Sequence, residues 1–195
     1  MLEPIKTSRT ASAEPSYPQT SPPVLVWDWP LRLWHWALTV FVLVAWVTPN
    51  THDALHRFAG YVVIGLLVFR LGWGFLGTRH SRFRRLLPRL YAAPTYLWSL
   101  RHRRAGRYLG LNPAGTAMLV ALLTLLTVSS VTGVMHVTVT FFGVWWVEDT
   151  HAYSSDAVIV LVVLHVIGTI LMSVLQRENL PLAMITGRKR RRRSR

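Results

Sequence analysis

The sequence predicts an all-α fold, an integral membrane four-helix bundle with both termini on the cytoplasmic side. Three observations lead there. The 195-residue chain is 51% hydrophobic, with nine tryptophans and a mean hydropathy of +0.31, which is too apolar for most soluble domains. Four apolar runs, at about 29–48, 55–76, 114–137 and 153–175, each reach the length that crosses a bilayer. Basic residues are segregated to alternate connections between those runs.

The segregation sets the orientation. The segment between the second and third runs carries nine arginines (Arg79, Arg82, Arg84, Arg85, Arg89, Arg101, Arg103, Arg104 and Arg107) and no acid, and the chain ends on "GRKRRRRSR". The other two connections, "PNTHDA" and "TVTFFGVWWVEDT", hold Asp53, Glu148 and Asp149 and neither Lys nor Arg. Of 22 basic residues only Arg57 falls on the outer side, so the middle loop and both ends are assigned to the cytoplasm. Basic loops beside spans follow from topology and from anionic lipid headgroups, so the net charge of +14 does not point to nucleic acid. The absence of cysteine excludes disulfides, thiolate-held iron–sulfur clusters and haem attached through a CxxCH motif.

Residues 1–24 are rich in Ser, Thr and Pro and are expected to form a disordered cytoplasmic lead; with no apolar core after the charged start, they do not read as a signal peptide. The bundle domain is expected over 25–187 and a basic cytoplasmic tail over 188–195. "VWDWPLRLWHW" opens the first span, with Pro30 suited to a first helical turn and the tryptophans to a headgroup boundary. The second span is interrupted by Gly65, Gly72, Gly74 and Arg70; Arg70 lies near one end, from where a long side chain can reach the interface. "LLPRLYAAPTYLWSLRHRR" suits a short helix on the inner membrane face, broken at Pro88 and Pro94. Asn112, Pro113 and Gly115 start the third span, which is expected to pack through Gly115, Ser129, Ser130, Thr132 and Gly133.

The fourth run carries the chemistry. In "THAYSSDAVIVLVVLHVIG", His151 and His165 are fourteen residues apart. A helix advances about 1.5 Å and 100° per residue, so the two share one face at depths about 21 Å apart. One metal cannot bind both. His35 lies thirteen residues before Thr48 and is therefore deep on the inner side, whereas His56 opens the second span near the outer surface. Depth then matches His35 with His165 and His56 with His151. Two imidazoles per centre, with no third protein ligand at either depth, is the arrangement of bis-histidine haem, whereas zinc would need a third or fourth ligand. Asp149 and Asp156 are outer and could serve one site at most.

Each histidine also has a plainer reading, as a hydrogen-bonded membrane residue or a surface group. His52 and His136 remain spare candidates for the outer centre, and His80 and His102 read as solvated loop residues. Gly60 and Gly168, each about one turn after a histidine, would let a flat macrocycle lie against its helix. Arg32 and Arg57, beside His35 and His56, are candidate partners for haem propionates, though interface anchoring explains both equally well.

Taken together, "VWDWPLRLWHW", "LHRFAGYVVIGLLVFRLGWGFLG", "RYLGLNPAG", "HVIG" with His151 before it, and "RENLPLAMITGRKR" make the chain resemble the prokaryotic cytochrome b561 family from about 26 to 190. These are four-helix dihaem membrane cytochromes b, and they include the membrane subunit of nickel–iron hydrogenases. The resemblance implies His35, His56, His151 and His165 as haem ligands and two haem b. It also implies multi-pass residence in the bacterial inner membrane. The implied activity is electron transfer in a respiratory chain between ubiquinone or menaquinone and a redox partner such as a c-type cytochrome or a hydrogenase. The chain departs from the family pattern at "HAYSSD" and at Leu111. Two other readings stay open: a self-contained quinone-linked oxidoreductase acting on a small species such as superoxide, and a haem-free transporter whose histidines relay protons. Whether the chain is itself an enzyme or a subunit of an oxidoreductase is left open by its sequence.

Overall fold

A computed structural model describes residues 24–49, 51–77, 82–102, 108 and 110–189. The lead over 1–23, His80 and the last six residues of the basic tail lie outside them.

In chain order the elements are β1 (Val24–Leu25), α1 (Trp29–Val47), α2 (Asp53–Leu76), a 3-10 turn (Phe83–Arg85), α3 (Leu87–Tyr91), α4 (Ala93–Arg101), α5 (Pro113–His136), α6 (Trp145–Gln176), α7 (Leu180–Thr186) and β2 (Arg188–Lys189). α1, α2, α5 and α6 are long and apolar enough to cross a membrane. The molecule is an all-α membrane bundle.

Three helices start on the same device. The side chains of Asp28, Asn112 and Asn179 accept from the backbone N–H groups of Leu31, Gly115 and Leu182, with Pro30, Pro113 and Pro181 in the first turn. The cap satisfies one of the amide donors a helix leaves open, and proline has none to lose there. Pro88 and Pro94 act alike: each sits in the first turn of α3 or α4, so the expected single helix is divided by starting a new one.

The fourth long helix begins at Trp145, about two turns ahead of the apolar run from Tyr153. That places His151 within helix, where composition alone gives no apolar periodicity. α6 ends at Arg177 in left-handed conformation (φ 49°), and the chain turns back into α7. Gly187 (φ 76°) then turns it into β2, which pairs antiparallel with β1, Val24 opposite Lys189 and Leu25 opposite Arg188. This clip joins the last residue of the expected lead, and Leu25 after it, to the start of the expected tail. Lys189 is buried in it.

α1 packs against α2, α5 against α6, and α2 touches α5. No close backbone seam joins α6 to α1 or α2. Those helices meet through side chains: Val63, Leu67, Leu126 and Val158 form a core, with Leu38, Phe41, Val42 and Val162 packed on it. Below, the end holding the α1–α2 and α5–α6 connections is called the hairpin end and the opposite one the terminal end. The many exposed apolar residues elsewhere on the long helices, such as Val40, Leu43, Val163 and Ile170, suit an acyl-chain environment.

Arg70 differs from expectation. Instead of reaching the interface it is 2% exposed. Its guanidinium carbon lies 5.6 Å from the Trp34 ring centre and 4.8 Å from that of Phe83. The Asp28 carboxylate is the opposing charge nearby. A counter-charge and two ring faces inside the bundle outcompete the headgroup region. Gly74 makes this possible, because a Cβ there would run into the Phe83 ring.

At the same end Tyr96 of α4 is buried, edge-on to Tyr108 at 5.6 Å. Burial pushes its phenol up from the ordinary value, Tyr108 adding to the shift and the Asn112 side chain opposing it.

Candidate functional site

His56 and His151 meet toward the hairpin end. Their ring centres are 6.1 Å apart with planes at 89°. His56 Nδ1 bonds the Ala45 carbonyl of α1 at 2.7 Å, and His151 Nδ1 bonds the Ser129 carbonyl of α5 at 2.8 Å. The Ala45 carbonyl is available for a reason written in the sequence. Its helical donor would be residue 49, which is proline and has no N–H. A carbonyl only accepts, so both Nδ1 atoms carry a proton, which leaves Nε2 as the ring nitrogen open to a ligand. That is the tautomer that ligates a metal, with the ring orientation fixed from the second nitrogen.

His35 and His165 meet toward the terminal end, their ring centres 6.3 Å apart and their planes at 53°. His35 Nδ1 is buried with no hydrogen-bond partner among the described residues, and its ring stands edge-on to Trp36 at 5.3 Å. A buried ring nitrogen left without a partner is costly, which suits a group that takes one up.

Spacing tests the fit to an axial metal pair. A metal–nitrogen bond of about 2.0–2.1 Å, with the ring nitrogen about 1.1 Å from the ring centre, sets two opposed imidazoles at about 6.3 Å between centres. Both pairs match that spacing. Among the described residues no group of three or more His, Asp or Glu side chains is gathered for a metal. The donors that meet at each depth are two imidazoles, the set that a bis-histidine haem uses.

Between the two pairs lies the apolar core of Val63, Leu67, Leu126 and Val158. Gly60 and Gly168 leave open space, for a Cβ at either position would meet nothing within 4 Å. Gly133 is the opposite case: a Cβ there would come within 2.9 Å of His151 Cε1. The third long helix therefore does more than pack. Ser129 and Gly133 seat the His151 ring, and the Ser129 hydroxyl also meets that of Ser155 at 2.8 Å.

The remaining candidates are placed as follows. Arg57 is exposed and pairs with Asp53 one turn before it. Arg32 packs against the Gly187 corner, and its Nε is buried without a partner among the described residues. His136 stands 3.7 Å from Glu148, and His52 is an exposed residue preceding α2. His102 lies against Trp98 at 4.5 Å. Asp149 and Asp156 are exposed. Ala45, Ser129 and Gly133 were not singled out as site residues from sequence; Pro49, four residues after Ala45, was the available signal for one of them.

Comparison with curated proteins and with solved structures gives no match. Comparison with protein families does: the family model described as prokaryotic cytochrome b561 matches residues 26–187, a range that takes in all four long helices and both ring pairs. The chain belongs to the prokaryotic cytochrome b561 family, membrane proteins that carry b-type haem and transfer electrons.

Proposed function

We propose that the chain carries two haem b, one on His35 and His165 and the other on His56 and His151, and transfers electrons across the bacterial inner membrane. The observation that carries this reading is the pair of ring separations, 6.3 and 6.1 Å, at two depths of one bundle. When bound, each haem supplies a one-electron iron couple.

The chain's own residues do the rest. Ala45 and Ser129 hold the protons of His56 and His151 on Nδ1, which keeps Nε2 free to ligate. Val63, Leu67, Leu126 and Val158 keep water out of the space between the two depths. No side-chain acid, base or nucleophile is needed for the transfer. In this reading the terminal end is cytoplasmic, because the arginine-rich connection and the basic tail belong to it. Quinone in the membrane and a protein partner such as a c-type cytochrome or a hydrogenase are the proposed exchange partners.

Pyridine haemochrome quantitation on the purified protein, beside His165→Ala and His56→Ala, tests the assignment. Two b haems per chain are expected, with each variant losing about one. Wild-type protein that takes up no haem under ample supply would sink it.

A further inference from the structure

Arg70 is a buried charge inside a membrane helix, and haem ligation does not by itself account for it. Such a charge is expensive in hydrocarbon unless it is paired and put to use. On α2 it stands fourteen residues after His56, as His165 stands fourteen after His151 on α6. α2 and α6 run the same way through the bundle, and fourteen residues carry either helix about 21 Å along while returning it to within about 40° of the same face. The face of α2 that offers His56 to one pair therefore offers Arg70 at the depth of the other.

A second contact gives the depth independently. Trp34, the neighbour of His35, donates from Nε1 to the Leu66 carbonyl at 2.7 Å, one turn before Arg70, and its ring lies beside the guanidinium. Two rings hold the position of the cation. Trp34 and Phe83 flank it, and Asp28 is itself held, accepting from Leu31 N at 3.3 Å and from Trp73 Nε1 at 3.2 Å.

We propose that Arg70 is a fixed buried cation that sets the reduction potential of the centre at His35 and His165, with Asp28 as the opposing charge that limits its effect. The inference rests on the haem assignment above. A guanidinium does not lose its proton in a protein, so the charge is permanent. A centre that takes up one electron becomes more negative by one unit, and a nearby positive charge in a poorly screened medium favours that form. Arg70 therefore raises the potential and Asp28 lowers it. Arg32, a basic residue at this end of the bundle on α1, packs at the Gly187 corner.

Opposite signs separate this role from a structural one, since loosening the packing would move both variants the same way. The experiment is a redox titration of the full-length haem-loaded protein, followed in the visible spectrum, for wild type, Arg70→Gln, Arg70→Lys and Asp28→Asn. The relevant component is the one missing from His165→Ala. Arg70→Gln is expected to lower its midpoint by about 59 mV or more, a tenfold change in the reduction equilibrium of a one-electron couple. Asp28→Asn, which keeps a helix-capping side chain, is expected to raise it, and Arg70→Lys to stay near wild type. The component at His56 and His151 stays in place. An unmoved midpoint in Arg70→Gln, or shifts of one sign in Arg70→Gln and Asp28→Asn, overturns the proposal while leaving the haem assignment standing. If Arg70→Gln does not fold, the direction of the Asp28→Asn shift decides. Absence of haem from the wild type overturns both.

Discussion

The imidazole of His56 is held by the carbonyl of Ala45, 2.7 Å from Nδ1, and that carbonyl has no helical donor because the fourth residue after it is Pro49. A helix-ending proline on one span thus orients a ring on the next. Pro49→Ala restores a competing N–H. On the proposed haem assignment, the expected outcome is a haem affinity lowered about 10- to 100-fold at the centre of His56 and His151, the usual effect of disturbing a ligand's outer hydrogen bond. Haem release from the purified variant on dilution, followed by loss of one spectral component, measures it.

Gly133 seats the ring of His151 with no room for a further carbon. Gly133→Val is expected to push that ring aside and to cost about 1–3 kcal/mol of stability through overpacking. On the proposed two-haem assignment, haem content should fall to about one per chain, the remaining component being the one assigned to His35 and His165. A Gly133→Val protein with full haem content and an unchanged spectrum would contradict the seating.

Gly74 faces the ring of Phe83 across the Arg70 cluster. Gly74→Ala introduces a Cβ into that ring, so the Phe83 side chain must leave its place beside the guanidinium. A lower thermal midpoint is expected, from a cost of about 1–3 kcal/mol, with the haem content of the wild type retained. Unfolding followed by tryptophan fluorescence checks the first part and the visible spectrum the second.

Gly187 has φ 76° and would place a Cβ 2.6 Å from the Trp27 carbonyl. Gly187→Ala therefore meets both the left-handed backbone penalty and a collision, and is expected to destabilise the terminal clip by about 1–2 kcal/mol or more. Proteolysis near β1 and β2 should speed up while haem content holds. Equal cleavage rates in variant and wild type would argue that the clip contributes little.

Asn112 caps α5 through Gly115 N. Asn112→Ala is expected to cost about 1 kcal/mol, and Asn112→Asp to retain most of it. Thermal unfolding of the two variants side by side checks both values.

Much of the fold could be read from local features. The four long helices follow from runs long enough to span, and the caps at Asp28 and Asn112 from a polar residue two places or one place before a proline. The start of α6 could not be read this way, since Trp145 to Ala152 is mixed aromatic and polar and joins the helix only because it continues the same axis. Nor could the β1–β2 clip, whose partners are separated by most of the chain and are too short to show a period.

Which histidines share a depth could be read from the chain alone, because helical rise is a constant of the backbone and the apolar runs set where each helix starts. The same is true of the proline that follows Ala45 at the one spacing that frees the carbonyl. It took the packed bundle to show which carbonyls hold the imidazole protons, that Gly133 lies against His151, and that Arg70 turns inward to Trp34, Phe83 and Asp28 rather than outward to lipid headgroups. Those outcomes depend on which faces of different helices meet and at what register. Side-chain packing across helices settles that, and no local pattern encodes it.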